Sequence, residues 1–329
     1  MPGISISHRD LIEGLIASNE IPRLPVAFWR HFPIDDQSPD RLAAATTLFQ
    51  KTYDPDIIKV SPSSSFCIRE WGISDEWNGN TEGTRDYTNS LSLDEAQEIT
   101  VQDVMQGSLG KQLSAIQMII AIHAKTTPVI QTIFSPLSQL KNLLGKKNLA
   151  YAIRHHPAII SGTLDVITET TKKFMLVCTN LGVDGFFYAV QHATSYELSR
   201  EEFIQFGKNF DIRLFDNLNK HWVNILHIHG SHIYFDLMLD YPCQIFNWHD
   251  REGAPNLLEA SRLTDKVLCG GLNRISAMVQ GNEEQIESEI LDAVSQIGGK
   301  HFLLGTGCVL PIIAPHGNII HAVNFARRI

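Results

Sequence analysis

The sequence has few cysteines, no long apolar run and no excess of basic residues, and each shortage removes a class of protein. Five cysteines stand in 329 residues (Cys67, Cys178, Cys243, Cys269 and Cys308), with no CxxC pair among them. An odd, scattered set makes no disulfide framework and suits a reducing compartment. Apolar windows such as 116–122 fall far short of the roughly 20 residues that a membrane-spanning helix needs. The opening stretch MPGISISHRDLIEGL is too polar for a secretory leader. A soluble, cytoplasmic protein with no membrane partner is therefore expected. Lysine and arginine number 27 against 36 acidic residues, a net charge of −9, and no basic stripe is visible, so no nucleic-acid partner is expected. GxSxG, HExxH and Walker A motifs are missing as well.

What is present is the composition of a globular protein with a large core: 43% hydrophobic and 19% charged residues. Eight short apolar, β-branched or aromatic runs punctuate the chain, at 24–28, 56–60, 128–133, 184–188, 223–228, 243–246, 266–269 and 301–304. Most lack strict alternation, the mark of strands buried on both faces. Helical patterning lies between them. Ser7 is placed to cap a helix carrying Leu11, Leu15 and Ile16, and Ser199 with Glu202 has capping-box spacing. Ile286, Ile290, Val294 and Ile297 line one face of a helix over 283–297. Alternating strands and helices imply parallel βαβ units, and eight of them imply one α/β domain over 1–329, a single (β/α)8 TIM-type barrel. Residues 1–22 read as a helical extension and the polar stretch 74–89 as a long loop or lid.

A barrel of this kind carries its chemistry where strands end. His227 and His229 stand two apart in one strand, so both imidazoles share a face, a common way to begin a transition-metal site. Cys308, after the eighth run, can add a thiolate, and His249 or Asp250, after the sixth, another ligand or a catalytic acid/base. The same histidines could instead hydrogen-bond a substrate or neighbouring backbone. Gly305 and Gly307 do not form a dinucleotide fingerprint, since position 310 is leucine. With Gly270, Gly271 and Asn273 they mark loops at which backbone amides could approach an anion. Arg30, at the end of the first run, is suited to gripping a carboxylate or to an ordinary surface ion pair, and Asp56 could act as a charge partner or general acid/base or equally cap the strand's entry.

Four segments, PVAFWRHF (25–32), GVDGFFYAVQHAT (182–194), ILHIHG (225–230) and LLGTGCVLPIIAPHGNIIHAV (303–323), resemble the uroporphyrinogen decarboxylase superfamily, in order and over nearly the whole chain. The resemblance implies a barrel enzyme, either the decarboxylase or one of the zinc-dependent methyltransferases that take a methyl group from a corrinoid. For the decarboxylase, Arg30 looks like one of two carboxylate-holding arginines and Asp56 like the essential aspartate. The second arginine is missing, and Thr306 replaces a histidine. For the methyltransferases, His227 and Cys308 look like the first and last zinc ligands, while His229 stands where that branch has cysteine. The first expectation is zinc-dependent methyl transfer to a thiol or similar acceptor, with a corrinoid supplied by a partner protein. The second is cofactor-free uroporphyrinogen decarboxylation, and the third a non-catalytic protein that binds a tetrapyrrole or corrinoid. The partners expected are a small-molecule or tetrapyrrole substrate, a corrinoid protein and a second copy of the chain in a homodimer.

Overall fold

A computed structural model of the chain describes residues 6–298 and 301–329. All eight apolar runs contribute strands: Val26–Ala27 (β1), Ile58–Val60 (β2), Val129–Phe134 (β3), Gly185–Val190 (β4), Ile225–Ile228 (β5), Ile245–Trp248 (β6), Val267–Leu272 (β7) and Phe302–Thr306 (β8). Every residue of these strands is buried, because the barrel interior covers one face and the helices the other. The ladders are all parallel and run β1-β8-β7-β6-β5-β4-β3-β2. The result is a nearly closed (β/α)8 barrel. The helix expected over 283–297 is Glu283–Ile297, and the capping box at Ser199 and Glu202 forms as its spacing predicts.

The seam between β1 and β2 has no strand ladder, and Asp56 closes it. Its backbone N–H donates to the Val26 carbonyl at 2.7 Å while its Oδ2 accepts the Val26 N–H at 2.8 Å. Asp184 repeats the device ahead of β4: its N–H donates to the Val129 carbonyl and its Oδ2 accepts the Val129 N–H, both at 2.9 Å. Asn224 accepts the Phe186 N–H and Gln244 the Asn224 N–H in the same way. Polar side chains ahead of the strands thus satisfy amides that the staggered barrel leaves without ladder partners at its lower face.

The N-terminal helix His8–Ile16 locks this face. Ser7 caps it by accepting from the Asp10 N–H, and Leu11, Ile12 and Leu15 are fully buried. His8 bridges Asp54 and Asp56 (2.9 and 2.6 Å), Arg9 pairs with Asp184, and Arg23 forks onto Asp56. Of the extension expected over 1–22, residues 1–5 lie outside the described residues. The expectation that Asp56 serves at the active site is corrected here. It lies ahead of β2, on the face opposite the mouth, fully buried and committed to Arg23, His8 and Val26.

At the mouth, the 74–89 stretch forms a two-stranded antiparallel ribbon, Asp75–Glu76 with Asp86–Tyr87. Its tip meets the loops after β7 and β8: Thr81 accepts from the Ile312 N–H at 2.8 Å and Glu82 pairs with Arg274. Among the described residues no helix is long and apolar enough to cross a membrane.

Two outcomes follow from the lower-face network. Removing one partner of a buried, hydrogen-bonded ion pair costs about 3–5 kcal/mol, so Asp56→Asn should lower the unfolding midpoint sharply; an unchanged midpoint would contradict the clamp. The hydrogen bonds to Asp54 and Asp56 raise the His8 pKa to about 9. Since this lies above the ordinary value of 6.5, the contribution of His8 is complete below that pH and is lost as pH rises through about 9. Stability should therefore fall from pH 6.5 to 9 more steeply in the unmutated protein than in His8→Gln, measured by urea unfolding; parallel slopes would contradict the bridge.

Candidate metal centre

β5 carries His227 inside the strand and His229 just beyond it, so the two-residue period turns both rings to the barrel interior, with centroids 5.9 Å apart. His249, just past β6, and Cys308, two residues past β8, converge on the same point. Cys308 Sγ lies 3.7 Å from His227 Nε2 and 3.9 Å from His229 Nδ1, and His249 Nε2 lies 3.3 Å from His229 Nδ1. All four donor atoms lie within 4.8 Å of one another. A tetrahedron with metal–ligand bonds of about 2.0–2.3 Å has edges of about 3.3–3.8 Å. Three nitrogens and one sulfur at these separations fit zinc in both geometry and softness.

Two histidines are oriented from behind. Asn247 spends its amide hydrogens on the carbonyls of Cys269 and Thr306, both at 3.0 Å, so its Oδ1 must accept from His227 Nδ1–H at 2.7 Å. That fixes the tautomer with Nε2 unprotonated and facing Cys308. His249 gives its Nδ1–H to Glu252 at 3.3 Å, and Glu252 also meets Arg274. Burial alone would raise the Cys308 thiol, but the three imidazoles overcome it and hold the thiol well below its ordinary range. Burial lowers His227. At His249 burial is outweighed by Cys308 and Glu252, which raise it to about 9.

The sequence pattern matches a model of the family "Uroporphyrinogen decarboxylase (URO-D)" over residues 30–329. The chain belongs to the uroporphyrinogen decarboxylase family. By structure it is similar to a methyltransferase from Methanosarcina mazei (TM-score 0.85, 15% identity, covering 98% of this chain and 99% of that one). It is also similar to a B12-independent methionine synthase from Shewanella sp. W3-18-1 (TM-score 0.55, 12% identity, 93% and 95% covered). A putative vitamin-B12-independent methionine synthase from Listeria monocytogenes is comparably similar (TM-score 0.55, 11% identity, 94% and 99% covered). No curated protein matches the sequence significantly.

Within this uroporphyrinogen decarboxylase-family barrel, the other expected site residues take different places. Asp250 turns away from the cluster: its Oδ2 accepts the Gly271 N–H at 2.9 Å, and burial raises its carboxyl to about 7. The glycine expectation is corrected. Gly270 and Gly271 lie inside β7 and Gly305 inside β8. A Cβ on Gly270 would sit 2.4 Å from Asp250 Oδ1, and one on Gly307 would sit 2.7 Å from the Trp248 carbonyl. Close packing of backbone and carboxylate, not an open anion loop, is what these glycines permit. Asn273 is likewise structural, its Oδ1 accepting the N–H groups of Ile275 and Ser276. Arg30 faces outward, its guanidinium over Phe32 and Phe49 at 5.5 and 5.6 Å, with Nε buried and unpartnered. The ring of its neighbour Trp29 instead enters the barrel and meets Phe187.

Sequence reading missed Lys59, hidden inside the apolar run 56–60, where a lone lysine was the only signal. Its ammonium lies over Phe187, whose ring stacks on His227. It also missed a cavity of about 390 Å³ beside His229, lined by Lys141, Lys146, Gln191 and His192 among others.

The thiol ordering is testable. Burial raises Cys67, Cys178, Cys243 and Cys269, whereas Cys308 is lowered. Iodoacetamide at neutral pH should modify Cys308 first, by peptide mass mapping, and added zinc should protect it. Equal labelling of Cys67, which is as little exposed (6% against 7%), would contradict the ordering.

Proposed function

We propose that this barrel is a methyltransferase that binds one zinc ion through His227 Nε2, His229 Nδ1, His249 Nε2 and Cys308 Sγ and methylates a thiol acceptor. The convergence of these four donors at tetrahedral spacing carries the proposal. Zinc bound there lowers the pKa of a thiol and so supplies thiolate at neutral pH.

The chain's own residues supply the rest. Asn247 holds His227 in one tautomer and one orientation. His249 sits past the end of β6 with Glu252 as its counter-ion, which makes it the donor best able to yield its place. His249 would hold the fourth ligand position, and where it gave way to an incoming thiol its Nε2 would be placed to accept that thiol's proton. The ribbon tied to the loops after β7 and β8 lies where it can exclude water from the mouth. The methyl donor in this reading is the one that the family resemblance implies, a corrinoid presented at that mouth by a partner protein. Methyl transfer as the reaction class is supported by the neighbours in fold described as a methyltransferase and as a B12-independent methionine synthase, the second of which does not support a corrinoid donor.

Decarboxylation of uroporphyrinogen fits less well. The two residues that the resemblance assigns to that reaction do not reach the mouth: Arg30 faces outward and Asp56 lies at the opposite face.

Protein purified without chelator should carry about one zinc per chain, and Cys308→Ser combined with His227→Ala should abolish uptake while leaving the fold intact. Asn247→Leu should keep the ligands but weaken zinc roughly 10- to 100-fold, by competition with a chromophoric chelator. Zinc affinity equal in the unmutated protein and the double variant would overturn the proposal.

A further inference from the structure

The tip of the 74–89 ribbon is joined to the metal cluster by an unbroken line of side chains. Glu82, at the tip, pairs with Arg274 in the loop after β7. The same guanidinium donates through Nε to Glu252 Oε1, in the loop after β6, at 3.3 Å. The second oxygen of Glu252 accepts His249 Nδ1–H at 3.3 Å, and the other nitrogen of that ring belongs to the four-donor cluster. The ribbon therefore reaches a metal ligand through Arg274 and Glu252.

Charge balance makes this line sensitive to the ribbon. The Arg274 side chain is 13% exposed, and among the described residues Glu82 and Glu252 are its only carboxylate partners. Burial works against its charge, and Cys308, Glu82 and Glu252 outweigh that cost. While Glu82 takes part of the guanidinium, Glu252 spends one oxygen on Arg274 and keeps the other for His249. Without Glu82, the mostly buried cation has Glu252 alone. A guanidinium and a carboxylate then favour a two-bond fork, which uses both Glu252 oxygens and draws them off His249.

The ties of the ribbon divide by position. Its base is pinned by the fully buried Asp75 carboxylate, held by Arg69 at 2.7 Å and by Arg85 at 2.9 Å. Its tip rests on the loops after β1, β7 and β8 by three contacts. Thr81 accepts from Ile312, Glu82 pairs with Arg274, and Gly83 packs so closely that an added Cβ would stand 2.7 Å from Ile312 and 2.9 Å from His31.

We propose that Arg274 is a positioning residue that couples the seating of the ribbon to the His249 ligand. The seated ribbon shares Arg274 and leaves Glu252 free to orient His249; a lifted ribbon gives Arg274 wholly to Glu252 and loosens that ligand. Coupling between two sites is reciprocal, so a metal ion in the cluster holds the ribbon down over the mouth. The metal end of this coupling rests on the zinc site proposed above, whereas the link from ribbon to His249 rests on the three side-chain contacts.

Zinc affinity, by competition with a chromophoric chelator, and hydrogen exchange of peptides spanning 75–87 and 310–313, by mass spectrometry, read the two ends. Glu82→Gln should weaken zinc roughly 5- to 10-fold, the low end of coupling between sites. Glu76→Gln, which removes the same charge from an exposed position of the ribbon, should leave zinc affinity unchanged. Glu252→Ala should weaken zinc about 10- to 100-fold, and adding Glu82→Gln to it should cost nothing more, since both act along one line. Zinc should slow exchange of the two peptides in the unmutated protein but in neither Arg274→Met nor Glu82→Gln, with Arg274→Lys keeping part of the effect. Additive losses in the double variant, or exchange that zinc does not alter in the unmutated protein, would overturn the coupling and leave the metal site standing. Should the protein take up no zinc, the metal reading fails separately and NMR of the His249 ring decides the link. Its Nδ1 resonance should move in Glu82→Gln and not in Glu76→Gln; a resonance unmoved in both would overturn the proposal.

Discussion

One buried amide holds the upper part of this barrel in register. Asn247, on β6, reaches the carbonyls of Cys269 on β7 and Thr306 on β8 with its two hydrogens, and takes the Nδ1–H of His227 on β5 with its oxygen. Four strands meet in that side chain, and every polar atom of it is satisfied. The arrangement is demanding, because a buried amide with a missing partner costs more than its hydrogen bonds return. It also transmits geometry: the same bond that secures the strands decides which nitrogen of His227 faces Cys308. The rigidity of the barrel and the chemistry of the cluster therefore depend on one residue.

The two ends of the barrel divide the charged side chains between them by the direction of the strands. Ahead of β2, β4, β5 and β6, a carboxylate or amide caps a neighbouring backbone N–H; Asp56 and Asp184 do this and then recruit Arg23, Arg9 and His8 from the N-terminal segment. Beyond the strands lie the imidazoles and the thiol. The lower face is saturated with ion pairs and hydrogen bonds. The upper face gathers three imidazoles and a thiol whose ligand atoms point at one another. Stability is concentrated below and unused binding capacity above, in keeping with the usual placement of chemistry in such barrels.

Much of this was legible in the residues. Burial on both faces makes each strand an apolar run, which is why eight runs mark eight strands with ends off by a few residues. The two-residue period of a strand puts His227 and His229 on one face from sequence alone. Asp56 opens its run, a position open in sequence to either a catalytic role or a cap on the strand's entry, and its bonds to Val26 make it the cap. The glycines misled. A glycine that lets a ligand approach and one that lets Asp250 approach look the same in sequence, and only the packing under Gly270 separates them. Lys59 was invisible because one lysine in a five-residue run does not alter the reading of a strand. The convergence of β1, β2 and β4 on the Phe187 ring, which gives that lysine its meaning, is a property of barrel closure alone.

In the proposed site, three imidazoles and one thiolate form a single zinc shell. X-ray absorption at the zinc edge of the loaded protein reads that shell directly. The spectrum should show three nitrogen scatterers at about 2.0–2.1 Å and one sulfur at about 2.3 Å, with the sulfur lost in Cys308→Ser. A shell of light atoms only in the unmutated protein, or one unchanged by that substitution, would place the metal elsewhere and contradict it.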